Sequence, residues 1–193
     1  MSGLRERKKA KTKIAIQEHA VRMFRTQGYG ATTVEQIAEA AEVSPSTVFR
    51  YFPTKEALVT TDEVDPVIFA AFEDQPTGVG IAEAWRGALR AAFDRLTDAE
   101  MAIQRERMLL ILSVPELWAA SLGNVTRTLD TMVELSARHV GRAPADPAVR
   151  NAVGAMFGVL LLAAFEWTRS PDADLAVLVD AALADFAAGL SLR

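Results

Sequence analysis

The sequence contains no cysteine, so disulfides, thiolate metal sites and cysteine nucleophiles are excluded. It has only 2 histidines, His19 and His139, and neither stands in a pattern typical of a nucleophilic triad or a metal motif. These absences argue against an enzyme and predict neither a metal nor a cofactor. A chain without cysteine also suits a reducing, cytoplasmic setting.

Two further absences concern the fold. No stretch alternates apolar and polar residues in the manner of a half-buried strand. The longest apolar run, 152–165, is interrupted by Gly154 and Gly158 and is too short to cross a bilayer. The N-terminus is charged, which argues against a signal peptide. With 193 residues and 50% apolar composition, the sequence predicts an all-α protein with a sizeable core and no membrane partner.

Charge is distributed unevenly along the chain. Residues 1–58 hold ten Lys or Arg and six Glu, a balance of +4, and no lysine follows Lys55. Because the net charge is −4, the remainder carries −8. A basic N-terminal part joined to an acidic remainder favours the binding of polyanions at one end of the molecule. The alternative interpretation is that the charged faces serve only to keep the protein soluble.

Residues 33–52 predict two short helices joined by a tight turn, the pattern of a helix-turn-helix. Thr32 and Thr33 stand before Glu35, where a threonine oxygen can cap a helix and the glutamate can reach back. Small and apolar residues then share one face of a helix that runs to Ala41. They are Val34, Ile37, Ala38 and Ala41.

A second helix is predicted from Pro45, because Ser44 is a favourable N-cap and proline suits the first helical position. Val48 and Phe52 lie on one side at i,i+4 and are expected in the core. The residues turned away from that side are free to enter a groove of DNA. They are Pro45, Ser46, Thr47, Arg50 and Tyr51.

This segment resembles the signature of the tetracycline-repressor (TetR) family of bacterial transcriptional regulators. The resemblance extends upstream through 20–24, 28–29 and 32–33 and downstream through 52–58, so it covers about the first sixty residues. It implies DNA contacts by Thr33, Thr47, Phe49, Tyr51 and Lys55. The family often has tyrosine where Phe49 stands, and phenylalanine cannot donate to a phosphate. The predicted DNA-binding set is Thr33, Ser44, Pro45, Ser46, Thr47, Phe49, Arg50, Tyr51 and Lys55.

The chain is expected to form a three-helix helix-turn-helix domain over residues 1–60 and a larger helical domain for effector binding and dimerisation over 61–193. A basic, frayed arm is expected before the first helix at about residue 12. A fourth helix is expected from Pro53, with Lys55 in its first turn. The later helices are predicted at about 65–73, 81–96, 99–112, 115–140, 147–168 and 171–190.

The last two helices are apolar on more than one side and therefore need cover on several sides. In the resembled family this pair builds a four-helix dimer interface, and the alternative is that both helices are central in a monomeric bundle. The predicted interface residues are Gly154, Phe157, Gly158, Leu161, Phe165, Leu178, Ala182 and Phe186.

The resemblance also implies a small-molecule effector bound within the middle helices. Met101, Arg105, Met108 and Leu112 follow at helical spacing, which places a cation in an otherwise apolar stripe. A largely hydrophobic ligand with an anionic or carbonyl end would suit that stripe, whereas Arg105 could instead pair with an internal acid or reach water. The predicted ligand-binding set is Trp85, Met101, Arg105, Met108, Leu112, Trp118 and Met132.

Together these patterns predict a ligand-responsive transcriptional regulator, most simply a repressor. It would bind a palindromic operator in double-stranded DNA as a homodimer and be released by a small hydrophobic molecule. The competing hypothesis is a helical protein-interaction module that has lost DNA binding. The presence of Thr47, Tyr51 and Lys55 favours the regulator.

Overall fold

The computed structural model describes residues 2–61 and 64–189, and that part of the chain forms ten α-helices and no strand. The all-α prediction is therefore confirmed. The helices are α1 (Ser2–Gln27), α2 (Val34–Ala40), α3 (Pro45–Tyr51), α4 (Ala57–Thr60), α5 (Asp65–Glu73), α6 (Ile81–Phe93), α7 (Asp98–Ser113), α8 (Pro115–His139), α9 (Pro147–Arg169) and α10 (Leu175–Ala187).

Three predicted helix starts are wrong. The basic arm is part of α1, which begins at Ser2. α4 begins at Ala57 rather than Pro53, because the Thr54 hydroxyl accepts the Ala57 N–H and holds 53–56 as a turn, so Lys55 lies before the helix. α10 begins after Asp174, whose carboxylate accepts the Ala176 N–H at 2.8 Å and caps the helix.

Local hydrogen bonds define the helix-turn-helix. Thr33 caps α2 in a reciprocal pair with Gln36, so the partner is Gln36 and not the predicted Glu35. After α2 the Glu42 N–H bonds the Glu39 carbonyl and the Val43 N–H bonds the Ala38 carbonyl. Glu42 adopts φ of 54°, the left-handed conformation that such a helix end requires and that glycine adopts more easily.

The described chain divides into two compact units. Unit 1 contains α1 to α4 together with Ala99–Asn124, which are most of α7 and the first part of α8. Unit 2 contains α5, α6, the rest of α8, α9 and α10. The expected division at residue 60 coincides with the end of α4, but the compact N-terminal unit also takes in Ala99–Asn124 from later in the chain.

The core of unit 1 joins the helix-turn-helix to α7 and α8. Ile16, Ala20 and Phe24 form the buried side of α1, as the sequence predicts. They pack in one cluster with the buried sides of α2, α3 and α4 and with Leu110 and Leu117. Burying these side chains gives the DNA-binding part a core that its own sixty residues supply only in part.

Side chains from three other helices bond the carbonyl groups that α4 leaves unpaired at its C-terminus. Arg107 of α7 is only 3% exposed and donates to the carbonyls of Val59 at 3.0 Å and Thr61 at 2.6 Å. Gln17 of α1 also donates to Thr61, and Asn124 of α8 donates to the Thr60 carbonyl. Terminal carbonyls buried without such donors would destabilise the fold, so these bonds position α4.

The core of unit 2 is built around Trp85 of α6. Its ring stacks on Phe72 with centroids 4.2 Å apart, and its indole N–H donates to the buried Ser136 hydroxyl at 2.9 Å. On the other side of α6, Arg86 and Arg90 both donate to Asp180 of α10. These ion pairs lower the pKa of Asp180 to about 2 and link α6 to α10.

α9 has more apolar surface than the rest of the chain covers. Within the described residues it is the one unbroken helix long and apolar enough to cross a membrane, with a window of mean hydropathy 1.8, and its bounds agree with the predicted 147–168 to within one residue. A core helix of a soluble protein meets the same test. Only 22% of that window is buried within the chain, which leaves an apolar surface.

We expect Arg107→Met to lower the free energy of unfolding by about 2–4 kcal/mol, because the Val59 and Thr61 carbonyls would lose their charged donor. Urea unfolding followed by circular dichroism measures the change. The exposed Arg50 of unit 1 offers a matched control, and Arg50→Met should stay within about 0.5 kcal/mol of wild type. An equal decrease in the free energy of unfolding in both variants would contradict the role given to Arg107.

Candidate DNA-binding surface

The solvent-facing side of α3 carries the exposed residues Pro45, Ser46, Phe49 and Arg50. Its opposite side is buried, since Val48 and Phe52 lie in the core of unit 1. The helical repeat predicted this separation, and the structure confirms it for the buried pair. The exposed side combines a hydroxyl, a guanidinium and an aromatic ring on two turns of one helix.

Three hydroxyl groups of the predicted set form a chain of hydrogen-bond contacts at the start of α3, with Ser44 in the middle. Ser44 is its N-cap and accepts the Thr47 N–H at 3.2 Å. The Ser44 hydroxyl also lies 2.9 Å from the hydroxyls of Ser46 and Thr47. This small network holds the first turn of α3 in place, so Ser44 has a positioning role and Ser46 presents the exposed hydroxyl.

Thr33 and Tyr51 lie at the ends of the two helices of the helix-turn-helix, Thr33 as the N-cap of α2 and Tyr51 as the last residue of α3. Thr33 is exposed at the N-terminus of α2, where its hydroxyl accepts the Gln36 N–H. Tyr51 is half-buried against the core, and the Arg50 guanidinium lies 5.2 Å from its ring centroid. Within residues 2–61 and 64–189, Arg50 has no carboxylate partner, so its donors face solvent.

Lys55 is held by α1 and the loop that follows it. Its ammonium donates to the Tyr29 carbonyl at 2.5 Å and lies 4.2 Å from the Tyr29 ring centroid and 5.5 Å from that of Phe24. A cation in the first turn of a helix is unfavourable, but Lys55 precedes α4 rather than lying in its first turn as predicted, and it has these internal contacts. Lys55 is half-buried, so part of its side chain still reaches the surface.

Tyr29 joins this cluster to Glu56. The phenol donates to the Glu56 carboxylate at 2.7 Å, and that hydrogen bond holds the pKa of Glu56 below its ordinary value. Burial and the same carboxylate raise the pKa of Tyr29 above its ordinary value. The sequence does not indicate this pair, because its members are 27 positions apart in the chain.

The predicted ligand-binding residues are divided between the two units. Met101, Arg105 and Met108 are half-buried on α7, whereas Leu112 and Trp118 are exposed. Trp85 and Met132 belong to the core of unit 2. The fully buried arginine of α7 is Arg107 and not the predicted Arg105, because α7 turns Arg107 toward the carbonyls at the end of α4.

The predicted interface residues all lie in unit 2, on α9 and α10. Phe157, Leu178 and Phe186 are half-buried against its core, and Leu161, Phe165 and Ala182 are half-buried too. Gly154 and Gly158 are exposed, with open space where a side chain would stand. Next to these positions Leu162, which is not among the predicted interface residues, is 67% exposed.

Unit 2 also contains a surface groove of about 400 Å³ between α6 and α10. Arg86, Arg90, Asp94 and Asp180 supply its polar lining, and its apolar lining includes Phe93, Val177 and Val179. The ion pairs of Asp180 occupy the polar part of this groove. It contains none of the predicted ligand-binding residues.

A capped α3 with one exposed side, preceded by α2 across a tight turn and packed with α1 in one apolar core, is the arrangement of a helix-turn-helix DNA-binding protein. Residues 16–60 match the family described as bacterial regulatory proteins, tetR family, and residues 79–191 match the MftR C-terminal domain. The chain therefore belongs to the TetR family of DNA-binding transcriptional regulators, with a C-terminal domain of the MftR type. This family is not enzymatic.

Two curated relatives extend over nearly the whole chain. The transcriptional regulator TcmR of Streptomyces glaucescens is 35% identical over 184 residues, which cover 91% of this chain and 81% of TcmR. The putative mycofactocin biosynthesis regulator MftR of Mycobacterium tuberculosis is 28% identical over 186 residues, covering 95% and 93%. The similarity thus includes both the DNA-binding and the C-terminal parts.

Solved structures show the same fold at lower identity. The TetR-family repressor FadR of Thermus thermophilus, in complex with lauroyl-CoA, superposes with a TM-score of 0.56 at 24% identity, covering 94% of this chain and 96% of FadR. NalD of Pseudomonas aeruginosa, the secondary repressor of a multidrug efflux pump, gives 0.61 at 21% identity, covering 95% and 97%.

Proposed function

We propose that this chain is a cytoplasmic repressor that binds a palindromic operator as a homodimer and is released by a small hydrophobic effector. The exposed side of α3 supports the proposed binding to DNA. Ser46 and Arg50 present donors there without internal carboxylate partners among the described residues, over a buried Val48. Side chains of this kind on a recognition helix suit hydrogen bonding to base edges.

Contacts with the DNA backbone would come from groups around α3. Lys8, Lys9 and Lys11 are exposed on α1, and Thr33 is exposed at the start of α2. Lys55 has a fixed ammonium whose remaining donors can meet a phosphate oxygen, since one donor is used on the Tyr29 carbonyl. Such contacts orient a protein on the duplex, whereas the α3 residues choose the sequence.

The apolar surface of α9 supports a homodimer. Gly154 and Gly158 leave room for another helix to approach, and Leu161, Leu162 and Phe165 continue along the helix with incomplete burial. An apolar surface of this kind is stable in water only when it is covered. A two-fold partner covers it with the same helix and presents two recognition helices to related half-sites.

The effector part of the proposal rests on α7. Met101, Arg105 and Met108 are half-buried on the helix that also carries Arg107. A ligand that packs against the methionines and bonds Arg105 would move or hold α7, and Arg107 would pass that change to the end of α4. FadR of Thermus thermophilus binds lauroyl-CoA, an apolar chain with an anionic head, which fits the same chemistry.

A protein-interaction module without DNA binding remains the competing function. Its partner would use the exposed apolar side chains, among them Trp118 and Leu122 on α8. A gel shift with the DNA that flanks the chain's own gene separates the two hypotheses. A specific, salt-sensitive complex supports the regulator, and no complex with any duplex supports the module.

We expect Arg50→Ala and Lys55→Ala to affect DNA binding differently. Arg50→Ala should weaken binding to the operator by about 1–3 kcal/mol and leave binding to random DNA unchanged. Lys55→Ala should weaken both alike and reduce the salt slope by about one phosphate contact. Fluorescence anisotropy over a salt series measures both, with thermal unfolding as a check on folding. An unchanged salt slope for Lys55→Ala would remove it from the phosphate contacts.

We expect arginine at Leu161 or Phe165 to give a monomer that has lost specific DNA binding, because a cation would be buried in the proposed interface. Sedimentation and operator binding should change together. Val140→Arg places the same charge at an exposed apolar position of unit 2 outside α9 and should leave the dimer intact. A stable monomer that still binds the operator would contradict the dimer hypothesis.

We expect lauroyl-CoA to release wild-type protein from the operator and Arg105→Ala to require at least about tenfold more, because a charge-assisted hydrogen bond is lost. Arg95→Ala, at an exposed position of unit 2, should respond as wild type does. Equal sensitivity of Arg105→Ala and wild type would remove Arg105 from the effector site. A wild-type complex that resists lauroyl-CoA would contradict this effector class.

A further inference from the structure

Phe49 is an aromatic side chain in an unusual position for its chemistry. It lies in the second turn of α3 and is 47% exposed, while its neighbours Val48 and Phe52 are buried in the core of unit 1. The other large apolar side chains that unit 1 exposes, within the described residues, lie on α1, α7 and α8. On the recognition helix, Phe49 stands between the exposed Ser46 and Arg50.

The chemistry of Phe49 limits what it can contact on DNA. A phenyl ring has neither a donor nor an acceptor, so it cannot hold a phosphate or satisfy the polar edge of a base. In the major groove, the apolar group that a standard base pair presents is the C5-methyl of thymine. A ring placed between two polar side chains therefore has one favourable base contact in that groove.

We infer that Phe49 is a specificity-determining residue that packs on the C5-methyl group of one thymine in each operator half-site. The inference rests on the proposed function, because it requires α3 to enter the major groove. Ser44 and Thr47 hold the first turn of α3, and the buried Val48 and Phe52 hold its inner side. The ring is thus carried by a fixed helix and has few rotatable bonds to immobilise on binding.

Phe49 and Arg50 are neighbours on α3 and can therefore contact neighbouring bases. The Arg50 guanidinium lies near the Tyr51 ring, which directs it along one edge of α3 and leaves Phe49 uncovered. Arg50 suits bidentate bonding to guanine, and Phe49 suits an adjacent thymine. Together they predict that each half-site contains a thymine next to, or one step from, a guanine.

The experiment removes the methyl group without any other change to the DNA. An operator is first selected from random duplexes with the full-length protein, and each thymine is then replaced in turn, in both half-sites, by deoxyuridine. At one symmetric position, wild-type affinity should fall about fourfold per methyl and about fifteenfold for the pair. Phe49→Ala should bind thymine and uracil operators equally at that position, because the two changes remove the same contact.

Two variants serve as controls. Phe49→Tyr keeps the ring and should keep the sensitivity to uracil. Ile14→Ala removes a comparably exposed apolar side chain of unit 1, 45% exposed on α1, and should respond to uracil as wild type does. Circular dichroism confirms that each variant is folded, and Phe49→Ser, which also removes the apolar ring, replaces Phe49→Ala if the alanine variant is not.

Several results would overturn the inference while leaving the proposed function intact. One is a wild-type affinity that does not change with any uracil substitution. Another is a Phe49→Ala variant whose affinity depends on uracil as strongly as that of the wild type. A third is Phe49→Ala that weakens operator and random duplexes equally, which would place the ring against the sugar-phosphate backbone. If wild-type protein selects no sequence from the random pool, the proposed function itself fails.

Discussion

The buried guanidinium of Arg107 is the constraint on which the arrangement of unit 1 depends. A cation almost entirely removed from water must have acceptors, and here two of them are the backbone carbonyls at the end of α4. Gln17 of α1 and Asn124 of α8 are further donors to the carbonyls at the end of α4. The helix-turn-helix is therefore not an independent module, because α7 and α8 supply donors that its last helix needs.

The helix-turn-helix was the most predictable part of the chain, for a physical reason. Its caps and helical repeat involve residues within four positions of each other, so Ser44, Pro45 and the buried pair Val48 and Phe52 were identified from local spacing. Where two local candidates competed, prediction was weaker: Gln36, not Glu35, completes the capping box, and Thr54 delays the start of α4.

Contacts between distant residues were beyond sequence reasoning. Periodicity placed Arg105 in the apolar stripe of α7 and Arg107, two positions away, on another side of the helix, yet Arg107 is the buried residue. Only the fold brings the Val59 carbonyl to Arg107 across 48 residues and the Glu56 carboxylate to Tyr29 across 27. The same limit applies to the division of the chain, since residues 99–124 join α1–α4 through packing that no local pattern records.

The left-handed backbone of Glu42 has an evolutionary consequence. A residue with a Cβ in that conformation costs about 1 kcal/mol relative to glycine, and Glu42 is exposed in the turn before α3, outside the helix itself. A single change to glycine would thus recover stability without altering the face that selects DNA. Lineages can accept destabilising changes on α3 and compensate for them in the turn, so that the preferred operator drifts while the fold persists.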